Sequence, residues 1–146
     1  MTVPAVEPTT AAVLERLETL SLPVGDARKP EDGGWQGAPG ASEFRTYLVC
    51  YPLNHRRDGP DAPITDRHSD PQLRYQITGV GIDRRTVEMA LDLAAGVLLN
   101  GVPFTITGRT TIQVVHEFSA GVSADETTNP PLFVGQDRYR IDTGPV

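Results

Sequence analysis

The sequence predicts an α+β fold in which a small, mainly antiparallel four-stranded sheet is flanked by two helices. Apolar residues recur at helical spacing in two segments, 10–20 and 84–99. The segments between and after them are rich in β-branched and aromatic residues or alternate between apolar and polar residues, as strands do. A length of 146 residues suits one domain with one core. The predicted order is α-β-β-α-β-β.

The first helix is predicted over about 10–20, after a flexible lead-in at 1–9 that contains two prolines. Thr9 or Thr10 is a suitable N-cap. Pro23 and the glycine that follows it end the helix. The apolar face consists of Val13, Leu14, Leu17 and Leu20.

Two long loops are expected, at 23–42 and 52–71, because glycine and proline interrupt every periodic pattern there. Loops of this length in a small domain are usually functional or flexible. Trp35, the single tryptophan, lies in the first loop, where it is either an anchor on the core or a contact for a partner.

The first two strands are predicted at 43–51 and 72–82, the second with clean alternation of apolar and polar residues. Gly79 and Gly81 in the second strand indicate a bulge or a close approach of another backbone. The second helix, 84–99, begins after Asp83 as N-cap and ends at Asn100 and Gly101, a typical left-handed stop.

The last two strands are predicted at 111–118 and 132–142, joined by a polar connector at 121–131. If the alternation is regular, each strand presents one set of side chains on the same face. These sets are Ile112, Val114, His116 and Phe118 in the third strand, and Phe133, Gly135, Asp137, Tyr139 and Ile141 in the fourth.

The acidic composition, with net charge −6 and pI about 4.9, argues against a surface that coats nucleic acid. No stretch approaches the length of a membrane span, and the N-terminus lacks the features of a signal peptide. The protein is therefore expected to act in a cytoplasm, or in a particle assembled there.

The sequence predicts no enzyme, metal site or cofactor. His55, Asp66, His68 and Asp70 form the one cluster of metal-ligand types, but their spacing fits no compact zinc or calcium pattern, so a solvated loop is favoured. His116 is expected to be structural. The lone Cys50 lies in an apolar run and is expected to be a small buried residue.

Two segments resemble the tail terminator proteins of long-tailed bacteriophages, especially those of actinobacterial hosts. They are YQITGVGIDRRTV at 75–87, which continues into the second helix, and PPLFVGQDRYRI at 130–141, which is the more specific. Residues 22–25 and the 47–52 strand fit in place and order, so the likeness covers most of 10–142. It implies that 1–146 is a single tail-terminator-like domain, although loops 23–42 and 52–71 are not fixed in the family pattern.

The resemblance implies a structural virion protein that forms a homohexameric ring at the head-proximal end of the tail tube. Such a ring stops tube polymerisation and joins the tail, in the neck region, to the head connector or stopper protein. The resemblance also implies that DNA passes through the lumen of the ring without specific binding. Six copies of a chain with net charge −6 would carry about −36, which repels phosphate.

An interface role is predicted for the late aromatic and arginine strand, because such composition is enriched at interfaces. Its residues are Leu132, Phe133, Arg138, Tyr139 and Arg140. The alternative is that Phe133 and Tyr139 belong to the core. Arg84 and Arg85, at the start of the second helix, either contribute to a subunit contact or are solvated.

Two other functions remain open from the sequence. One is a different structural part of the same particle, such as another head-to-tail connector or a tail tube subunit, which would polymerise by itself. The other is a small ligand-binding or enzymatic α+β domain, which would require a deep apolar pocket with convergent polar groups.

Overall fold

The computed structural model describes residues 5–34, 44–55, 71–128 and 130–145. Trp35, Asp66, His68 and Asp70 lie outside this part of the chain. The described elements, in chain order, are α1 (Glu7–Leu17), β1 (Val24–Asp26), a single 3-10 turn (Glu31–Gly33), β2 (Tyr47–Pro52), β3 (Gln72–Gly81), α2 (Arg84–Leu98), β4 (Arg109–Asp125) and β5 (Leu132–Pro145).

The sheet is mixed and has five strands in the order β1-β2-β3-β5-β4, which corrects the predicted four antiparallel strands. The additional strand, β1, pairs with β2 in parallel, with Val24 opposite Leu48 and Asp26 opposite Cys50. The other three pairs are antiparallel. Part of the predicted loop 23–42 is therefore a sheet edge followed by a helical turn.

The first helix begins at Glu7, earlier than predicted. The prediction of a flexible lead-in at 1–9 is therefore wrong for residues 7–9, which are helical. Its N-cap is Val6, which has no capping side chain. Pro8 is tolerated in the first turn because the amide hydrogens there have no partner within the helix. Neither Thr9 nor Thr10 is the cap, since both lie within the helix. The Thr10 hydroxyl lies 2.9 Å from the Tyr75 hydroxyl.

The second helix agrees with its prediction. The Asp83 side chain accepts a hydrogen bond of 2.8 Å from the Thr86 amide, and Gly101 has φ +78° just after the end of the helix. The buried face consists of Val87, Ala90, Leu91, Ala94 and Leu98.

Glycines let α2 lie close to the sheet. Gly79 of β3 and Gly135 of β5 are direct neighbours in the ladder, and both face Leu91. A Cβ atom on Gly135 would lie 2.9 Å from Leu91 Cδ1 and 2.8 Å from Val122 Cγ2, which is closer than real Cβ contacts. Neither predicted role of the β3 glycines is observed as stated: the pairing of β3 has no bulge, and the atoms that approach Gly79 and Gly81 belong to side chains, mainly of α2, and not to another backbone.

The core lies between the two helices and one face of the sheet. Its innermost side chains include Leu17, Leu48, Tyr75, Ile77 and Val87. Tyr139 and Ile141 of β5 extend it toward β4. A smaller apolar cluster on the opposite face contains Tyr47, Val49 and Val80.

The edge strand β4 is longer than the predicted 111–118, and residues 121–125 of the predicted connector belong to it. Its pairing with β5 shifts at Thr111/Gln113, His116/Phe118 and Ser119/Gly121. Each shift interrupts the alternation of sides. Val114 and His116 oppose Ile141 and Tyr139 on the helix-covered face, whereas Phe118 opposes Arg138 on the other. The prediction that Phe118 shares a face with His116 is therefore wrong.

Candidate interaction surface

Within the described residues, no group of three or more His, Cys, Asp or Glu side chains could hold a metal ion. His55 is exposed at the end of the segment that follows β2. No helix in the described ranges is long and apolar enough to cross a membrane.

Cys50 and His116 have structural surroundings. Burial raises the pKa of the Cys50 thiol to about 12, with a smaller contribution from Asp26, so the thiol stays protonated and is a poor nucleophile. His116 Nε2 lies 3.5 Å from Asp137 Oδ1, and its ring centroid is 5.3 Å from that of Tyr139. This agrees with the predicted structural role of His116.

An apolar ridge runs along the outer side of α2, the side opposite the core. We call it the α2 ridge and define it by Met89, Asp92, Leu93 and Gly96. Met89 and Leu93 are 53% and 47% exposed, which is high for large apolar side chains. An open, mostly apolar depression of about 440 Å³ lies along the ridge at Gly96. It is lined by the four ridge residues together with Leu20 and Val97. Asp92 is exposed and forms no ion pair or hydrogen bond with any described residue.

Gly96 is the unexpected member of the α2 ridge. Glycine inside a helix costs about 1 kcal/mol relative to alanine. A Cβ atom at Gly96 would meet no other atom within 4 Å, so packing within the protomer does not require glycine. The residue removes a side chain from the outer surface of α2, which allows another surface to approach closely.

Replacing Gly96 by Ala is expected to raise the free energy of unfolding of the isolated protomer by about 0.8–1 kcal/mol, because helix propensity improves and no clash arises. Urea unfolding followed by circular dichroism, under conditions where the chain is monomeric, measures this. A destabilised variant would contradict the open space seen beside Gly96.

The opposite side of the domain has a charged surface on the open face of the sheet. Glu117 of β4 joins two arginines, since its carboxylate lies 3.0 Å from Arg74 Nε and 3.7 Å from Arg140 Nη1. Arg140 also donates two hydrogen bonds, of 2.9 and 3.0 Å, to the Asp142 carboxylate, which Gln113 donates to as well. These contacts hold both Arg74 and Arg140 in place.

Arg138 differs from its two arginine neighbours because it has no carboxylate partner among the described residues. Its guanidinium lies over the Phe118 ring, 5.3 Å from the centroid. The Phe118 side chain is itself 50% exposed. Arg138 and Phe118 therefore offer a cation and an apolar ring together at the surface.

A shallow groove of about 950 Å³, which we call the sheet groove, lies at this surface. The strand residues that define it are Pro52, Arg74, Glu117, Phe118 and Arg138, from the four adjacent strands β2, β3, β5 and β4. Val6, before α1, and Leu53, Asn54 and His55, after β2, line the groove as well. At a strand spacing of about 4.8 Å, it spans about 14 Å. A groove of this length accepts about two turns of a helix.

The structure separates the predicted interface residues into three groups. Tyr139 is 1% exposed and Phe133 packs against the core, as the alternative prediction has it. Leu132 packs against the smaller cluster on the open face. Arg138 is exposed and Arg140 is half-buried, both on that face.

The two arginines of α2 lie elsewhere on the surface. Arg84 forms a salt bridge with Glu88 one turn later on the same helix, and Arg85 is exposed. Sequence reasoning missed Arg74, Glu117 and Phe118 as neighbours of Arg138. It also missed Met89 and Leu93. These two large apolar residues do not fall at the helical spacing of the buried face, and that departure could have identified them as exposed.

The fold of this chain is similar to that of proteins of known structure. No protein-family model matches the sequence, and no curated protein sequence matches it significantly. Among solved structures, a chain from the virion of a native gene transfer agent particle has TM-score 0.61 and 12% identity, over 92% of this chain and 93% of that one. A second solved chain has TM-score 0.50 and 12% identity, over 94% and 95% of the two chains. At this identity the likeness concerns the fold.

Proposed function

We propose that the protein is a structural virion protein that acts as a tail terminator. It forms a homohexameric ring on the head-proximal end of a tail tube, stops tube growth and joins the tube to the head connector. The observation that supports this most is the fold shared, over nearly the whole chain, with a chain of a gene transfer agent virion. The resemblance of 75–87 and 130–141 to tail terminators supports the finer assignment.

The two outer surfaces suit a protein that assembles. The α2 ridge and the sheet groove lie on opposite sides of the domain, and both expose large apolar side chains beside charged ones. A protomer with two different contact surfaces makes heterologous contacts, which close into a ring when the rotation between copies permits. The protein contributes contacts to the particle and catalyses no reaction.

The test uses the purified full chain together with polymerising tail tube protein. Native mass spectrometry is expected to show six copies, and negative-stain images are expected to show rings at one end of the tubes. Tubes should stop growing when the chain is present. Filaments formed by the chain alone would instead identify a tube subunit, and a chain that stays monomeric and leaves tube growth unchanged would overturn the proposal.

A further inference from the structure

We propose that the α2 ridge of one copy docks in the sheet groove of the next, with Asp92 opposite Arg138 and Phe118 against Leu93 and Gly96. This inference rests on the proposed function, because it names the surfaces through which the ring would close. Its occupant is a second copy of this chain.

Charge complementarity is the first argument. Asp92 is the carboxylate of the α2 ridge, and it forms no ion pair with any described residue. Of the two arginines of α2, Arg84 pairs with Glu88, and Arg85 lies two turns before Asp92, about 10 Å away along the helix axis. Arg138 is the arginine of the sheet groove that has no carboxylate beside it, because Glu117 and Asp142 are taken by Arg74 and Arg140. Among the described residues, each side therefore presents the charge that the other lacks. Two α2 ridges placed together would instead bring two Asp92 carboxylates into one contact.

Shape is the second argument. Met89 to Gly96 spans about 10 Å along the helix axis at 1.5 Å per residue. This segment fits within the length of about 14 Å over which the sheet groove crosses four strands. The missing side chain at Gly96 leaves room for the ring of Phe118, which is half exposed. Amphipathic helices commonly dock in grooves in this way, through apolar anchors one or two turns apart.

Charge reversal tests the pairing by native mass. Asp92→Arg and Arg138→Glu are each expected to weaken association by about tenfold or more, because each places like charges in the contact. The double variant reverses the pair and is expected to regain most of the association. Glu15→Arg on the exposed side of α1 and Arg28→Glu near β1 are matched controls, which should keep the wild-type mass.

Disulfide trapping gives a second readout that does not depend on charge. The double variant Leu93→Cys with Phe118→Cys is expected to form a ladder of covalent oligomers in an oxidising buffer, because each copy joins two neighbours. Either single variant should form none. The native Cys50 is 0% exposed and should not contribute.

The outcomes separate the two proposals. Wild-type rings that both charge reversals leave intact, or a Leu93→Cys variant that dimerises by itself, would overturn this pairing and leave the ring function standing. A wild-type chain that forms no ring, alone or on tubes, would overturn both. Rings that are lost in the single charge variants and restored in the double variant would support the pairing.

Discussion

Replacing Ile77 by Ala is expected to lower the free energy of unfolding by about 2–5 kcal/mol. Ile77 is 0% exposed and lies near the middle of β3, paired with Cys50 on one side and Asp137 on the other. Removing its methyl and methylene groups leaves a cavity in the main core beneath the helices, and the strands on both sides limit how far the core can collapse. A drop in the urea midpoint with an unchanged slope measures this.

The matched control is Ile82→Ala, five residues further along the chain. Ile82 is 51% exposed, so the same truncation should change stability by no more than about 0.5 kcal/mol. Similar losses at Ile77 and Ile82 would contradict the assignment of Ile77 to the core.

Replacing Gly135 by Val is the second large change, and it is expected to destabilise the fold by about 1–3 kcal/mol or more through overpacking. Even the first carbon of the new side chain would lie 2.9 Å from Leu91 and 2.8 Å from Val122. Because Gly79 lies beside it in the ladder and also faces Leu91, α2 would have to move away from both central strands.

The same substitution at Gly96 is the control for Gly135→Val. Nothing lies within 4 Å of the Cβ position there, and valine is a slightly better helix former than glycine. Thermal unfolding of monomeric protein should show a lower Tm for Gly135→Val only. Equal Tm values would mean that the glycines are not what brings α2 close to the sheet.

The elements that the sequence predicted well are those specified by local signals. The second helix was bounded correctly because the Asp83 cap, the apolar spacing and Gly101 all lie within or next to it. The strand β3 was predicted because apolar and polar residues alternate over 72–77, and burial alternates with them there. By contrast, β1 is three residues long and depends on its pairing with β2, more than twenty residues later, which no local pattern reveals.

The candidate surface was harder to predict than the fold, because its residues meet through strand pairing. Arg74 and Arg140 are neighbours only because β5 lies between β3 and β4, an order that the sequence does not specify. The position of Phe118 depends on the shift after His116, which places it on the open face and not on the face of His116, as predicted. Arg138 was predicted as an interface residue from composition alone, and its interface role remains a proposal.

The irregular pairing along β4 also bears on how copies avoid meeting in the wrong way. A regular strand at the edge of a sheet has unpaired amide and carbonyl groups, with which a strand of another chain can form hydrogen bonds. Repeated pairing of this kind leads to fibril growth. In β4, three interruptions and the left-handed Gly121, with φ +74°, break the regular row of amide and carbonyl groups. The protein can therefore be crowded with its own copies and still be discouraged from stacking into amyloid-like ribbons.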